Sequence, residues 1–340
     1  MAMIKAYEIQ GCFQIKNAFN KVGLDHTILV KIASTAVVSW MMGLSIEQTL
    51  SALSHAFMDG HPLRVYRQSP NTGPRKGWAA GDACMRAVHL SLLAKAGQPG
   101  ATSVLTAAKW GFYDTLFKGK EFELPRPFQS WVMENVIFKV NTAEGHGMSA
   151  VEAALSISQE LSYRSLTPEH DIANIRVRTQ AAGMTIINKQ GPLHNAADRD
   201  HCMQYLIATV LIKGGMIETQ DYQDHSPWAS DARIEQLRSK IELIEDPQFT
   251  ADYHDPAVRS VANAILVTLK DGTQLPEAVV EFPLGHPKRT DTVAAVGAKA
   301  KRNLALKLSQ DRVDQILRLM EDDASFLHMP VSEFVDLFVP

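Results

Sequence analysis

The chain has 340 residues, enough for a sizeable core and for more than one domain. Its 46% hydrophobic and 21% charged residues are typical of an ordinary globular protein, and its net charge of −3 gives no indication of nucleic-acid or membrane binding. The cysteines Cys12, Cys84 and Cys202 are far apart and form no CxxC pair, so we expect no disulfide framework and a reducing compartment.

The first part of the sequence predicts helices. The segment "MAMIKAYEIQGCFQIKNAF" predicts an amphipathic helix from nearly the first residue, and Asp25 is the predicted N-cap of an apolar helix that Gly43 ends. That helix contains Lys31 and is too short to span a bilayer. Ser45 and Gln48 form a capping-box pattern before the next helix.

A further helix is predicted to start near Trp78 and to run to about Lys95. Its alanines at positions 79, 83 and 87 fall on one face and allow close packing. From Trp110 to Phe138 the chain is rich in aromatic residues and broken by prolines, which indicates an irregular crossing between domains.

The pattern then changes to a mixture of helices and strands. Ser149 and Glu152 predict a capping box, "IANIRVRT" alternates as a strand does, and Asp271-Gly272 predicts a hairpin. One helix is predicted from Asp198 to Lys213, and the tail from Ala298 returns to helix. The sequence thus predicts a helical part, an α+β part and a helical return, without internal repeats.

Basic and imidazole side chains recur at predicted helix N-termini. Arg75 and Lys76 come just before one such helix, His26 lies in the first turn of another, and His146 stands between two glycines before a third. Free N–H groups at a helix N-terminus bind anions, and a nearby cation strengthens such a site. The helix dipole would also favour the neutral imidazole, which can act as a base.

Each of these residues has a plainer interpretation. Lys76 could be a solvated surface cation, His26 could make a local hydrogen bond, and Tyr205 could be a core tyrosine with a satisfied hydroxyl. Glu144 and Glu152 are a possible carboxylate pair, although capping alone would explain Glu152. The remaining histidines have no metal-ligand spacing, and no nucleotide-binding or nucleophile-elbow motif is present.

Eight segments spread along the chain form a recognisable set: "VGLDHTILVKIASTAVV", "SPNTGPRKGWAAGDA", "WGFYD", "VMENVIFK", "AEGHGMSAVEAA", "GPLHNAADRDHCMQY", "DPQFTADYHDP" and "VEFPLGH". Together they resemble the MmgE/PrpD family across essentially the whole chain. The resemblance implies a mainly α protein with an α+β second domain. Both chain ends would form the helical domain (residues 1–134 and 290–340), and residues 135–289 would form an inserted α+β lid, with the active site between them.

The resemblance also implies site residues, all carried over by motif except Arg75, which is added because it precedes Lys76. His26, His146 and Tyr205 would be catalytic, and Arg75, Lys76 and Lys139 would bind the substrate carboxylates. Removal of water needs a base for the C–H group and an acid for the C–OH group, and two imidazoles suit both tasks. Which histidine is the base stays open.

The family resemblance favours a hydro-lyase that dehydrates 2-methylcitrate to 2-methyl-cis-aconitate in propionate breakdown, acting as a homodimer without metal or cofactor. Decarboxylation of cis-aconitate is an alternative within the family. The family pattern begins with a further helical region whose acidic, Asp-containing motif has no counterpart here. We therefore expect a shortened member, and a non-catalytic dimerising or ligand-binding homologue is a third possibility. The compartment would be the cytoplasm, or the mitochondrial matrix in a eukaryote.

Overall fold

The computed structural model describes residues 1–58, 60–67 and 71–339, which form two compact units. The first unit comprises Met1–Val136 and Leu193–Asp198, and the second comprises Ile137–Pro192 and Arg199–Pro340. The fold class predicted from the sequence, mainly α with an α+β part, is confirmed. The predicted assignment of residues 1–134, 135–289 and 290–340 to domains stays a prediction.

The first unit is helical. Its α-helices are α1 (Ala2–Lys16), α2 (Thr27–Met41), α3 (Ile46–Met58), α4 (Arg75–Lys95), α5 (Phe112–Leu116) and α6 (Trp131–Asn135). Short 3-10 helices cover Phe19–Val22 and Arg64–Arg67.

Helix α2 is the centre of the first unit and packs against α1, α3 and α4. Its residues are mostly buried, including Lys31, because neighbouring helices cover it on several sides. The alanines of α4 predicted to share one face, at positions 79, 83 and 87, are buried as expected. Aromatic and aliphatic side chains fill the space beside α2 with a core built from Phe19, Leu24, Ile28, Leu29, Ile32, Phe57, Phe112 and Phe117.

Later segments alternate helices with strands. The helices are α7 (Met148–Tyr163), α8 (Pro168–Asp171), α9 (Ala181–Ile186), α10 (Ala196–Asp200), α11 (Met203–Lys213), α12 (Ala232–Arg238), α13 (Pro247–His254), α14 (Thr292–Leu304), α15 (Gln310–Glu321), α16 (Asp323–His328) and α17 (Val331–Asp336). The strands are β1 (Ile172–Thr179), β2 (Ile241–Glu245), β3 (Asn263–Leu269) and β4 (Ala278–Val280). A 3-10 turn, Gly145–Gly147, precedes α7.

The strands of the second unit form one mixed sheet with the order β2-β1-β3-β4. Strand β1 pairs parallel with β2 and antiparallel with β3, and β3 pairs antiparallel with β4. The predicted turn is confirmed, because Gly272 adopts φ +88 between the hydrogen-bonded ends of β3 and the following bridge. Helix α7 packs against β3, β4 and α11, and this brings the start of α7 beside the sheet.

The sequence signals at helix ends predicted some of these ends correctly and others not. The capping box of Ser45 and Gln48 is present, with both reciprocal hydrogen bonds formed. The expected single helix from Asp198 to Lys213 is wrong, because α10 ends at Asp200 and α11 begins at Met203; its end at Gly214 (φ +69) is as predicted.

The predicted capping box of Ser149 and Glu152 is wrong. Helix α7 already begins at Met148, and the Ser149 hydroxyl donates to the carbonyl of Val261. The Glu152 carboxylate instead accepts hydrogen bonds from Asn141 Nδ2 (2.8 Å) and from Arg289 Nη1 (3.2 Å). Residues distant in the sequence bind the side chains of Ser149 and Glu152, so the predicted hydrogen bonds between these two residues do not form.

No helix among the described residues is long and apolar enough to cross a membrane.

Candidate active site

A buried carboxylate organises the start of α2. Asp25 is 0% exposed, and its Oδ1 accepts hydrogen bonds from the backbone N–H of Thr27 (3.0 Å) and from the hydroxyl of Tyr66 (2.9 Å). Arg67 Nε donates to Oδ2, and Arg64 Nη1 lies 3.8 Å from the same oxygen. Burial opposes ionisation, but these donors outweigh it and hold the pKa of Asp25 at about 2.

His26 occupies the N-cap position of α2, one residue before the predicted first turn, and its side chain is 42% exposed. Its Nδ1 lies 3.9 Å from Asp25 Oδ1. Burial lowers the pKa of His26, and the positive charges of Arg67, Arg64 and Lys76 lower it further against the opposing charge of Asp25. At neutral pH the imidazole is therefore neutral and able to accept a proton.

Arg75 and Lys76 form the first turn of α4. The predicted helix start near Trp78 is wrong, because α4 begins at Arg75, directly after Pro74. The Arg75 guanidinium stacks on the rings of Trp78 (4.3 Å) and Tyr66 (5.5 Å) and lies 3.9 Å from Asp82 Oδ2. These contacts hold the cation at the helix N-terminus despite the unfavourable dipole.

A cavity of about 250 Å³ lies in the first unit, lined by α2, by residues 60–62 and by α4 from Arg75 to Arg86. Cationic side chains dominate its polar lining, which comprises Lys31, Arg75, Arg86, His61, Asp82 and Thr27. Such a lining suits a small anionic ligand, because its positive charges would be partly shielded from water.

In the second unit, His146 lies between a carboxylate and a phenol. Glu144 accepts hydrogen bonds from the backbone N–H of His146 (2.8 Å) and from Nδ1 of its ring, which is 3.0 and 3.1 Å from the two carboxylate oxygens. On the other side of the ring, Nε2 is 3.2 Å from the hydroxyl of Tyr253. Burial opposes ionisation of Glu144, but the hydrogen bonds from His146 prevail and hold its pKa at about 2.

The backbone around His146 is fixed by close packing and by the sheet. A Cβ added to Gly147 would lie 2.5 Å from Leu206 Cδ1 of α11, whereas one added to Gly145 would meet no atom within 4 Å. Asn263, the first residue of β3, donates from Nδ2 to the carbonyl of His146 (2.8 Å) and to the hydroxyl of Ser149 (2.7 Å). Of the two flanking glycines, Gly147 is the one that close approach requires.

Lys139 lies in an extended segment whose neighbour Phe138 donates its N–H to the carbonyl of Gly285 (2.9 Å). A Cβ at Gly285, where φ is +106, would overlap the carbonyl oxygen of Phe138 at 1.9 Å. The side chain of Lys139 is exposed, and its carbonyl accepts a hydrogen bond from Lys299 Nζ of α14. The glycine of "VEFPLGH" thus sets the path of the chain next to Lys139.

Tyr205 lies within α11 and is 2% exposed. Its hydroxyl donates to the carbonyl of Asp221 at 2.9 Å, and its ring lies 6.3 Å from that of Tyr222. Burial raises the pKa of Tyr205, so it stays protonated. These contacts are those of a core tyrosine, and its predicted catalytic role stays a prediction.

The structure brings His26 and Lys76 within electrostatic reach of each other in the first unit, with Arg75 stacked on the tyrosine that binds Asp25. The convergence of all six predicted site residues on one substrate stays a prediction. Sequence reasoning missed Tyr253, which is 107 positions from His146 and has no pattern that links the two. The sequence named Glu144 only as a possible partner of Glu152, but Glu144 binds His146, whereas Glu152 binds Asn141 and Arg289.

Across residues 1–58, 60–67 and 71–339, no group of three or more His, Cys, Asp or Glu side chains is arranged to hold a metal ion.

Comparison with known families decides the relationship. The model of the MmgE/PrpD N-terminal domain matches residues 1–125, and that of the MmgE/PrpD C-terminal domain matches residues 142–323. The chain belongs to the MmgE/PrpD family. The resemblance predicted from the sequence is therefore confirmed.

Several MmgE/PrpD relatives align with nearly the whole chain. A 2-methylcitrate dehydratase-like protein of Aspergillus oryzae is 66% identical over 100% of this chain and 68% of its own length. The 2-methylcitrate dehydratase of Escherichia coli strain K12 is 51% identical over 99% of this chain and 70% of its own length. A mitochondrial 2-methylcitrate dehydratase of Yarrowia lipolytica is 52% identical over 99% of this chain and 64% of its own length.

Proposed function

We propose that this chain is a hydro-lyase that removes water from 2-methylcitrate and gives 2-methyl-cis-aconitate. The observation that carries this proposal is the identity of half to two thirds of the residues with relatives named for 2-methylcitrate dehydration. The reaction breaks a C–H bond next to a carboxylate and a C–OH bond on the adjacent carbon, and the C–H electron pair becomes the double bond.

His26 is the base in this proposal. Burial and three neighbouring cations favour its neutral form, and a base must be unprotonated before it accepts the C–H proton. Asp25 accepts a hydrogen bond from the backbone N–H of Thr27 and so fixes the start of α2 beside His26. The same cations make the surroundings of His26 favourable for a carboxylate.

His146 is the acid in this proposal, because its Nδ1 donates to the carboxylate of Glu144, which orients the ring. The contrast between His26 among cations and His146 against a carboxylate is the arrangement expected for two histidines with opposite tasks. This contrast supports the proposed assignment of His26 as the base and His146 as the acid.

Arg75, Lys76 and Lys139 bind substrate carboxylates in this proposal. Arg75 and Lys76 lie at the N-terminus of α4, where the positive end of the helix dipole adds to their charge. Removal of the α-proton builds negative charge onto the neighbouring carboxylate, so these cations stabilise the transition state more than the ground state.

The direct test is the absorbance of the unsaturated product after 2-methylcitrate is added to the purified protein. We expect H26Q to lose most of the activity and the exposed His89→Gln, on α4, to keep it. Folded wild-type protein that forms no product would refute the proposal. Release of CO₂ from cis-aconitate without dehydration would favour the decarboxylase alternative, and neither reaction, with ligand binding retained, would favour a non-catalytic homologue.

The remaining expectations concern biological setting. The reaction would serve propionate breakdown, in the bacterial cytoplasm or in the mitochondrial matrix of a eukaryote, and the protein would act as a homodimer. Family membership is the support for these expectations. Sedimentation equilibrium tests the dimer, and a mass equal to one chain at micromolar concentration would contradict it.

A further inference from the structure

The contacts on both sides of the His146 ring point to a role for a residue that the sequence did not single out. We propose that Tyr253 delivers a proton from His146 to the departing hydroxyl group, and that Glu144 is the positioning residue that orients His146 for this transfer. The inference rests on the proposed dehydration and adds the path by which the acid acts.

Glu144 determines which ring nitrogen reacts. Its ionised carboxylate can only accept hydrogen bonds, so Nδ1 of His146 carries a hydrogen and Nε2 is the nitrogen that exchanges its proton. The second bond, from the backbone N–H of His146 to the same carboxylate, fixes the side chain of Glu144 against its own turn. The ring therefore has a fixed tautomer and a fixed direction.

Tyr253 lies at the reactive nitrogen. With a neutral ring, its O–H donates to Nε2 across 3.2 Å. With an imidazolium, Nε2–H donates to the phenol oxygen, and the Tyr253 O–H is free to donate to a further acceptor. The direction of the hydrogen bond between Tyr253 and His146 therefore depends on whether His146 is protonated.

The surroundings keep Tyr253 protonated until that transfer. Its pKa is raised by burial and by the negative charge of Glu144, against the charge of Arg259. The ionisable groups that act on this pair are Glu144, Arg259 and, through Glu144, His201. A phenol of raised pKa is a proton donor rather than a standing phenolate, and Tyr253 is only half-buried, so another molecule can reach it.

The proton count closes. The Tyr253 O–H proton passes to the substrate hydroxyl, the C–O bond breaks and water leaves, while Nε2–H of the imidazolium restores the phenol. The C–H proton goes to His26, and its electron pair forms the double bond. Exchange with water returns one proton to His146 and removes one from His26, so no co-reactant is consumed.

The kinetic test compares Y253F with Tyr163→Phe, a matched change at an exposed residue of the same unit. General acid catalysis contributes roughly 10²–10⁴-fold, so we expect kcat of Y253F to fall by about 10²-fold or more with little change in KM. Tyr163→Phe should match the wild type. A Y253F kcat within twofold of the wild type, or an equal loss in Tyr163→Phe, would overturn the proposal.

The second variant, E144Q, keeps the shape of the side chain and removes its charge. The amide of E144Q can donate to Nδ1 and so reverse the tautomer of His146, so kcat should fall across the pH profile, whereas E160Q on α7 should leave the profile unchanged. An E144Q profile that coincides with the wild-type profile would contradict the role of Glu144.

A readout that needs no turnover separates this inference from the proposed function. In ¹⁵N spectra of histidine-labelled protein, His146 should carry its neutral-state proton on Nδ1, lose this preference in E144Q, and shift at Nε2 in Y253F. Wild-type protein without dehydratase activity would refute the proposed function whatever the spectra show. Active wild-type protein whose His146 signals are unchanged in both variants would refute the relay alone.

Discussion

Replacement of Asp25 by Asn tests whether the buried carboxylate at the start of α2 stabilises the first unit through its charge. Asn keeps the size of the side chain and can still accept from Thr27 N–H, but it cannot balance the guanidinium of Arg67, which is 15% exposed. The variant therefore isolates the ionic part of the network.

The magnitude follows from the pKa of Asp25, which falls from 3.8 to about 2 on folding. At about 1.4 kcal/mol per pKa unit, the ionised form contributes about 2 kcal/mol. Because the folded-state pKa is the lower one, this contribution is complete above pH 4 and is lost as the pH falls through about 2. An uncompensated Arg67 adds to the cost, so we expect D25N to lose about 2–4 kcal/mol at neutral pH.

Urea unfolding followed by circular dichroism, at several pH values, measures this loss. The exposed Glu121→Gln in the same unit removes one negative charge without a buried partner and serves as the control. The difference between wild type and D25N should shrink between pH 4 and pH 2. A difference below 1 kcal/mol at neutral pH, or one that stays constant over this range, would refute the reasoning.

Two further predictions concern close packing and charge. Gly147→Ala should lose about 1–3 kcal/mol of unfolding free energy, because its Cβ would press on Leu206, whereas Gly145→Ala should be nearly neutral in the same urea titration. Lys76→Met removes a charge that lowers the pKa of His26, so the acidic limb of the dehydration rate should move to higher pH, and an unmoved limb would contradict the assignment of His26 as the base.

Local patterns predicted the parts of the fold that local interactions decide. The Ser45 and Gln48 box formed because both partners lie on one exposed helix end, and the turn at Gly272 formed because glycine tolerates its positive φ. The Ser149 and Glu152 pattern failed because residues distant in the sequence bind both side chains. A capping pattern at a buried helix start is therefore a weaker predictor than the same pattern on a surface.

The candidate site shows the same division. Family motifs identified His26 and His146, but their electrostatic surroundings come from side chains that the sequence does not place beside them. Arg67, whose charge acts on His26, lies in a separate 3-10 helix, and Tyr253 contacts His146 from α13, which follows β2. A motif can thus name an imidazole without revealing whether it serves as a base or as an acid.

Asn263, the first residue of β3, links the sheet to the 3-10 turn that carries His146. Its amide group donates to the carbonyl of His146 and to the hydroxyl of Ser149 in α7, so an aspartate of the same shape could not substitute for it. The orientation of the His146 ring therefore depends on the position of β3. Substitutions within β3, although remote from any reacting atom, would then lower the reaction rate of a protein that remains folded.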